Sequence, residues 1–242
     1  MYLNMENTNL NLSKLKGVIF DLDGVIFDII GSIQQSVDDA INKYKLKSEN
    51  IEEGLQEIAH LIEDLQNYPI PQIILNSYDL LQISLLEGHR LIKKLRIAVY
   101  VFNQFNKYKE EASIFEGVEE LIKMLHGKHK KLAILTNNKN THAEEVLKRF
   151  DLDKYFNLII GFNEVSEVKP SPEGILKILE TWKVKDSDVV FIGDMVTDIL
   201  AGQAANVKTI SIASGLAKKE TLLEKKPDYL VNNTEELRKL FE

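Results

Sequence analysis

Asp21 and Asp23 stand on either side of Leu22, directly after the apolar run Val18-Ile19-Phe20, and Gly24 follows them. The run reads as a short buried strand bounded by Gly17 and by the Asp23-Gly24 pair. In an extended chain, side chains two apart point to the same side, so both carboxyls project together from the strand's carboxyl end. Like charges held that close repel, and their proton affinities separate unless a cation lies between them or one stays protonated. These are the electrostatics of an acid/base pair at a metal. Asp-x-Asp-Gly is equally the composition of an ordinary turn after a strand. A calcium loop would need further oxygen ligands and a closing Glu, whereas the chain turns apolar again by Phe27.

Polar side chains suited to phosphate or metal recur after later apolar runs. Leu132-Ala133-Ile134-Leu135 ends at Thr136-Asn137-Asn138; Leu158-Ile159-Ile160-Gly161 is followed by Lys169-Pro170; Val189-Val190-Phe191-Ile192-Gly193 closes on Asp194, with Asp198 four residues on. Each has a plain structural account: Thr136 as a cap, Lys169 as a solvated loop residue, Asp194 as the N-cap of a helix from Met195. In open α/β sheets, however, ligands bind beyond the carboxyl ends of the strands, so the four groups converge if their strands are neighbours.

The elements between them support such a sheet. After Asp28 the pattern is helical for about eighty residues: Ile33, Val37, Ala40, Ile41 and Tyr44, then Leu55, Ile58, Ala59, Ile62 and Leu65, recur at spacings of three and four. Pro69 and Pro71 break the chain, and further helices are expected from Ile73 and through Leu91, Leu95, Val99, Phe102 and Phe105. From about Ser113, helices and strands alternate, which argues for a parallel sheet covered on both faces. Thr141 and Glu144 have capping-box spacing for one helix, and Ser171 with Pro172 would start another. A last short strand at 228–231 and a helix at 234–241 complete the chain. The fold class is α/β, a Rossmann-like parallel-sheet core of residues 1–28 and 113–242 with an all-helical insert at 29–112.

Composition narrows the functional classes. A chain of 242 residues without cysteine has no disulfide, thiolate zinc site or thiol nucleophile. The formal charge of −7 is spread along the chain with lysines interleaved among glutamates, a poor match to a nucleic-acid backbone. Residues 1–15 lack the basic start and apolar stretch of an export signal, and no apolar run approaches a membrane span. A cytoplasmic protein is expected. The histidines at 60, 89, 126, 129 and 142 show no metal-ligand spacing with a partner acid, and Trp182 reads as packing.

In its motifs and layout the sequence resembles the haloacid dehalogenase-like hydrolase superfamily. Asp21-Leu22-Asp23-Gly24-Val25 looks like its first motif, Leu135-Thr136-Asn137 its second, Lys169-Pro170 its third, and Gly193-Asp194-Met195-Val196-Thr197-Asp198 its fourth. The helical insert resembles the family's type 1 cap, in the arrangement of phosphoglycolate phosphatase-like members. The resemblance implies a five- or six-stranded core with a helical lid, and a Mg2+-dependent phosphatase acting on a small phosphorylated metabolite. It implies Asp21 as nucleophile, forming an aspartyl phosphate, and Asp23 as general acid and then base. Magnesium would be held by Asp21, Asp194 and the backbone carbonyl of Asp23, with Asp198 reaching a metal-bound water or orienting Lys169. Thr136 through its hydroxyl, Asn137 through its backbone N–H, Lys169 and the Gly24 amide would bind the phosphate.

Dehalogenase members usually lack the second aspartate of the first motif, so Asp23 favours phosphoryl transfer. Sugar-phosphate mutases of this type carry a His shortly after the equivalent of Asp28, where this chain has Ile29-Ile30-Gly31-Ser32. Phosphonate-cleaving relatives use a cap lysine, for which Lys43, Lys45 and Lys47 are the candidates. A phosphomutase, a pyrophosphatase and a non-catalytic binding module on the same fold remain alternatives at this point.

Overall fold

A computed structural model describes residues 3–4, 12–46, 86, 88–215 and 217–242 of the 242-residue chain. The chain divides into two compact units, residues 1–27 with 114–242, and residues 28–113. The strands are β1 (Leu3–Asn4), β2 (Gly17–Phe20), β3 (Lys131–Leu135), β4 (Leu158–Ile160), β5 (Val189–Gly193), β6 (Lys208–Ile212) and β7 (Tyr229–Val231). The α-helices are α1 (Ile30–Tyr44), α2 (Leu91–Glu111), α3 (Val118–Gly127), α4 (Asn140–Arg149), α5 (Glu173–Trp182), α6 (Val196–Ala204), α7 (Lys219–Glu224) and α8 (Thr234–Phe241).

The seven strands among the described residues all belong to the first unit and form one sheet in the order β1-β7-β6-β5-β2-β3-β4. Strands β2 to β7 pair in parallel, and β1 is antiparallel to β7. The fold class is the expected α/β parallel sheet with flanking helices. Every residue of β2 and of β5 is buried, because a parallel strand covered on both faces needs apolar side chains on each. Strand β2 lies between β3 and β5, with Phe20 level with Ile134 on one side and Ile192 on the other. The first residues beyond these three strands therefore leave the sheet side by side.

Helical spacing sets which faces pack. Val118, Leu121, Ile122 and Leu125 are the buried positions of α3, as are Ile175, Ile178, Leu179 and Trp182 on α5. The α5 residues join Ile19, Phe191 and Ala201 in one core cluster. Gly17 opens β2 where the Trp182 ring comes so close that any Cβ would overlap it. In the second unit α1 packs on α2: the Tyr108 hydroxyl donates to Asp39 at 2.5 Å, and the rings of Tyr44 and Tyr100 meet edge to face at 5.7 Å. Lys43 lies over the Tyr100 ring at 3.8 Å.

Several local expectations change. The six parallel strands fit the five or six expected of the core, and the two-residue antiparallel β1, too short to carry an alternation, is an addition at the edge of the sheet. Helix α7, with Leu222 its one buried residue, likewise has no periodic stripe to find. The Thr141/Glu144 capping box does not form: α4 begins at Asn140, and the Asn140 amide donates instead to the side chain of Asn163 at 3.1 Å. Helix α5 starts one residue later than read, with the Ser171 hydroxyl accepting from the Glu173 amide at 3.3 Å. Helix α6 starts from Met195, not Asp194, as N-cap. On α2 the buried stripe is Lys94, Ile97, Val101 and Phe105, turned from the one read off the sequence. The helices expected through Leu55 to Leu65 and from Ile73, and the break at Pro69 and Pro71, lie outside the described residues, as does Lys47. Among the described residues no helix is long and apolar enough to cross a membrane.

Because a methyl group at position 17 must displace the Trp182 ring, Gly17→Ala is expected to lower stability by about 1–3 kcal/mol in urea unfolding. In a Trp182→Leu background the same change should cost much less. Equal costs in both backgrounds would mean that the contact does not limit position 17.

Candidate active site

Three neighbouring strands deliver the acids and the hydroxyl. Asp21 follows β2, and its amide donates to the Ile192 carbonyl of β5 at 2.8 Å, carrying the pairing one residue past the strand. Thr136 follows β3 and is fixed in the same way, its amide donating to the Ile160 carbonyl of β4 at 3.0 Å. Asp194 follows β5. Asp21, Asp23, Thr136, Lys169, Asp194 and Asp198 are all buried, with Asp194 at 0% exposure. Carboxylate oxygens of Asp21, Asp194 and Asp198 lie within 4.8 Å of one another.

Lys169 ties this group together. Its Nζ is 2.9 Å from Asp21 Oδ2 and 2.7 Å from Asp198 Oδ1, and its side chain is 1% exposed. A buried ammonium is tolerated only when its donors are taken up by partners, and two carboxylates take them here. Asp198 serves twice. Its other oxygen accepts from the Met195 amide at 2.9 Å, capping the first turn of α6. The backbone of Lys169 is bracketed by Asn137, whose Oδ1 accepts from the Lys169 amide at 3.1 Å and whose Nδ2 donates to the Lys169 carbonyl at 3.3 Å.

Asp21 itself is held by the Leu22 amide, which donates to its Oδ1 at 2.7 Å. Burial pushes its carboxyl up to about 7, against the pull of Lys169, and the charges of Asp198 and Asp23 add to the rise. Thr136 Oγ1 accepts from the Asn138 amide at 3.0 Å, which leaves the hydroxyl proton available to an incoming oxyanion.

Gly24 departs from its expected part. Its amide donates to the Phe27 carbonyl at 2.9 Å, closing the turn after Asp23, so that donor is already engaged. The position instead requires glycine for its shape. Its φ is +82°, and a Cβ there would overlap the carboxyl of Asp194. Gly215 presses on the same carboxyl from the other chain segment, so the walls around Asp194 are backbone.

Two side chains at this site were not singled out in the sequence. Asn138 Nδ2 donates to Asp23 Oδ2, and His142 Nε2 lies 3.9 Å from Asp23 Oδ1. Both follow β3, four residues apart at the opening of α4. That spacing was the available signal; weighing the histidines only for metal-ligand spacing concealed it.

Residues 18–212 match the family model described as haloacid dehalogenase-like hydrolase. A pyrophosphatase PpaX of Bacillus mycoides is 30% identical over 146 residues, covering 60% of this chain and 68% of that protein. A phosphoglycolate phosphatase of Pseudomonas fluorescens is 25% identical over 220 residues, covering 89% of this chain and 76% of that protein. A crystal structure of a HAD-superfamily hydrolase, subfamily IA, variant 1, from Geobacter sulfurreducens shares the fold, with a TM-score of 0.62 and 24% identity over 95% of this chain and 97% of that one. The match spans both the first aspartates and the Asp194 to Asp198 turn, and the chain belongs to the haloacid dehalogenase-like hydrolase family.

Proposed function

We propose that this protein is a magnesium-dependent phosphatase that hydrolyses a small phosphate monoester through an aspartyl phosphate on Asp21. The observation that carries the reading is the ion cluster itself: Lys169 between Asp21 and Asp198, with Asp194 alongside, at the carboxyl ends of neighbouring parallel strands.

The donor set fits magnesium. The clustered groups are all oxygens, as a hard cation requires, and three carboxylates against one ammonium leave two negative charges for a divalent ion to balance. Asp21 and Asp194 would hold it with the carbonyl of Asp23, and Asp198 would act by orienting Lys169 or through a bound water. When bound, the ion supplies positive charge that lowers the proton affinity of Asp21 and offsets charge on the phosphoryl oxygens.

In the first step an Asp21 carboxylate oxygen attacks phosphorus in line. The phosphorus bond to Asp21 forms as the bond to the leaving oxygen breaks, and the proton carried by Asp23 passes to that oxygen. Lys169, Thr136 and backbone amides near Asn137 would stabilise the nonbridging oxygens. In the second step Asp23 takes a proton from water as the water oxygen attacks phosphorus. Asp21 leaves with its bonding pair restored, inorganic phosphate departs, and Asp23 is again an acid. The unit 28–113, which holds α1 and α2 and is inserted directly after the first aspartates, is assigned the cap role. Inorganic pyrophosphate is the second reading for the substrate, favoured by the relatives named pyrophosphatase PpaX.

Purified protein is expected to release phosphate from an aryl phosphate only with magnesium, and Asp21→Asn to lose at least about 10³-fold in rate while folding normally. Full activity in that variant would remove Asp21 as nucleophile. A panel of sugar phosphates, phosphoglycolate, nucleoside monophosphates and pyrophosphate ranks the substrates.

Stability should report the same carboxyl. Without metal, Asp21 titrates at about 7 in the folded chain and near the usual carboxylate value of about 4 when unfolded. Between those values the folded state holds a proton that the unfolded chain has lost. Its stability therefore falls as pH rises from about 4 to about 7 and is level above. In chelator, Asp21→Asn should raise the melting temperature at pH 8 by more than at pH 5, and magnesium should stabilise the wild type most at the higher pH. The same difference at both pH values would contradict a protonated, buried Asp21.

A further inference from the structure

The carboxyl of Asp23 is gripped by two side chains that have no part in the steps above. The Asn138 amide nitrogen donates to its Oδ2. An amide N–H can only donate, so it fixes Oδ2 as an acceptor, and a proton carried by this carboxyl then resides on Oδ1. Asn138 is itself pinned at both backbone ends. Its N–H donates to Thr136 Oγ1 at 3.0 Å, and its carbonyl accepts from the Phe162 amide at 2.9 Å.

His142 faces the other oxygen. Its Nε2 lies 3.9 Å from Asp23 Oδ1, and that nitrogen is buried with no hydrogen-bond partner among the described residues. The ring is held edge to face against Phe27 at 6.2 Å, and Arg149 covers the same Phe27 ring at 5.1 Å. Phe27 bridges back to Asp23 through the turn, so the ring that the imidazole rests on and the carboxyl that it faces belong to one short loop. The two oxygens therefore differ in their surroundings, Oδ2 engaged by an amide donor and Oδ1 facing the imidazole.

We propose that Asn138 and His142 are positioning residues for proton transfer: together they hold Asp23 in one orientation, with Oδ1 as the oxygen that gives its proton to the leaving group and later takes one from water. The inference rests on the phosphatase reading and concerns orientation alone.

The test uses kcat/KM for a graded series of aryl phosphates and an alkyl phosphate in saturating magnesium, because kcat/KM reports the first step. Protonation matters most when the leaving oxygen is basic. Asn138→Leu, close in shape but without a donor, should reduce kcat/KM for the alkyl ester on the order of 10- to 100-fold, a fraction of what general acid catalysis supplies. With p-nitrophenyl phosphate the loss should be under about threefold, and rates across the series should depend more steeply on leaving-group basicity. His142→Ala should show the same steepening, and His142→Gln, which keeps a nitrogen near the position of Nε2, should recover most of the rate. If Asn138→Leu does not fold, by its far-ultraviolet dichroism, the His142 pair decides the matter alone. Losses of equal size on every ester, or no difference between Ala and Gln at 142, overturn the positioning role while leaving the phosphatase reading intact. A wild type without magnesium-dependent turnover of any ester defeats both.

Discussion

The ammonium of Lys169, sealed from water between Asp21 and Asp198, sets the terms for the rest of the molecule. An ammonium buried that deeply is stable only while acceptors are held against its donors and at least one counter-charge remains beside it. Each partner is therefore fixed by something outside the pair. Strand pairing holds Asp21, the first turn of α6 holds Asp198, and the side chain of Asn137 clamps the backbone of Lys169. Loops after three strands and the start of one helix are tied to a single point.

The two carboxyls of the first motif live in different company. Asp21 meets charges, with Lys169 on one oxygen and the Asp194–Asp198 group nearby, and burial holds its proton affinity high. Asp23 meets the neutral amide of Asn138 and the ring of His142. This contrast in neighbours is the basis on which the proposed roles of attacking group and proton carrier are divided between the two.

Much of this was legible because a buried parallel strand leaves a plain mark, a short apolar run with polar residues at its end. The runs before Asp21, Thr136 and Asp194 located three adjacent strand ends, and the regular spacing of α3 and α5 gave the layers around them. What escaped was local chemistry between side chains. Asn137 was read for its backbone, yet its side chain braces the lysine loop; the Gly24 amide was read as a phosphate donor, yet the turn uses it. Asn138 and His142 went unassigned because their meaning depends on Asp23, more than a hundred residues earlier, which no periodicity can reveal. The two-residue β1 and six-residue α7 are shorter than any pattern that could announce them.

The sheet order bears on how the chain comes together as it is made. Strand β2 is synthesised before both of its neighbours, since β3 and β5 begin only at Lys131 and Val189. Until those segments leave the ribosome, an apolar strand has neither of its neighbours in the sheet, and the unit at 28–113 is complete before its scaffold exists. Asp21 is thus made well before the residues that hold it, so that a chain cut short before Lys169 has Asp21 but neither the ammonium nor the β5 carbonyl that fix it.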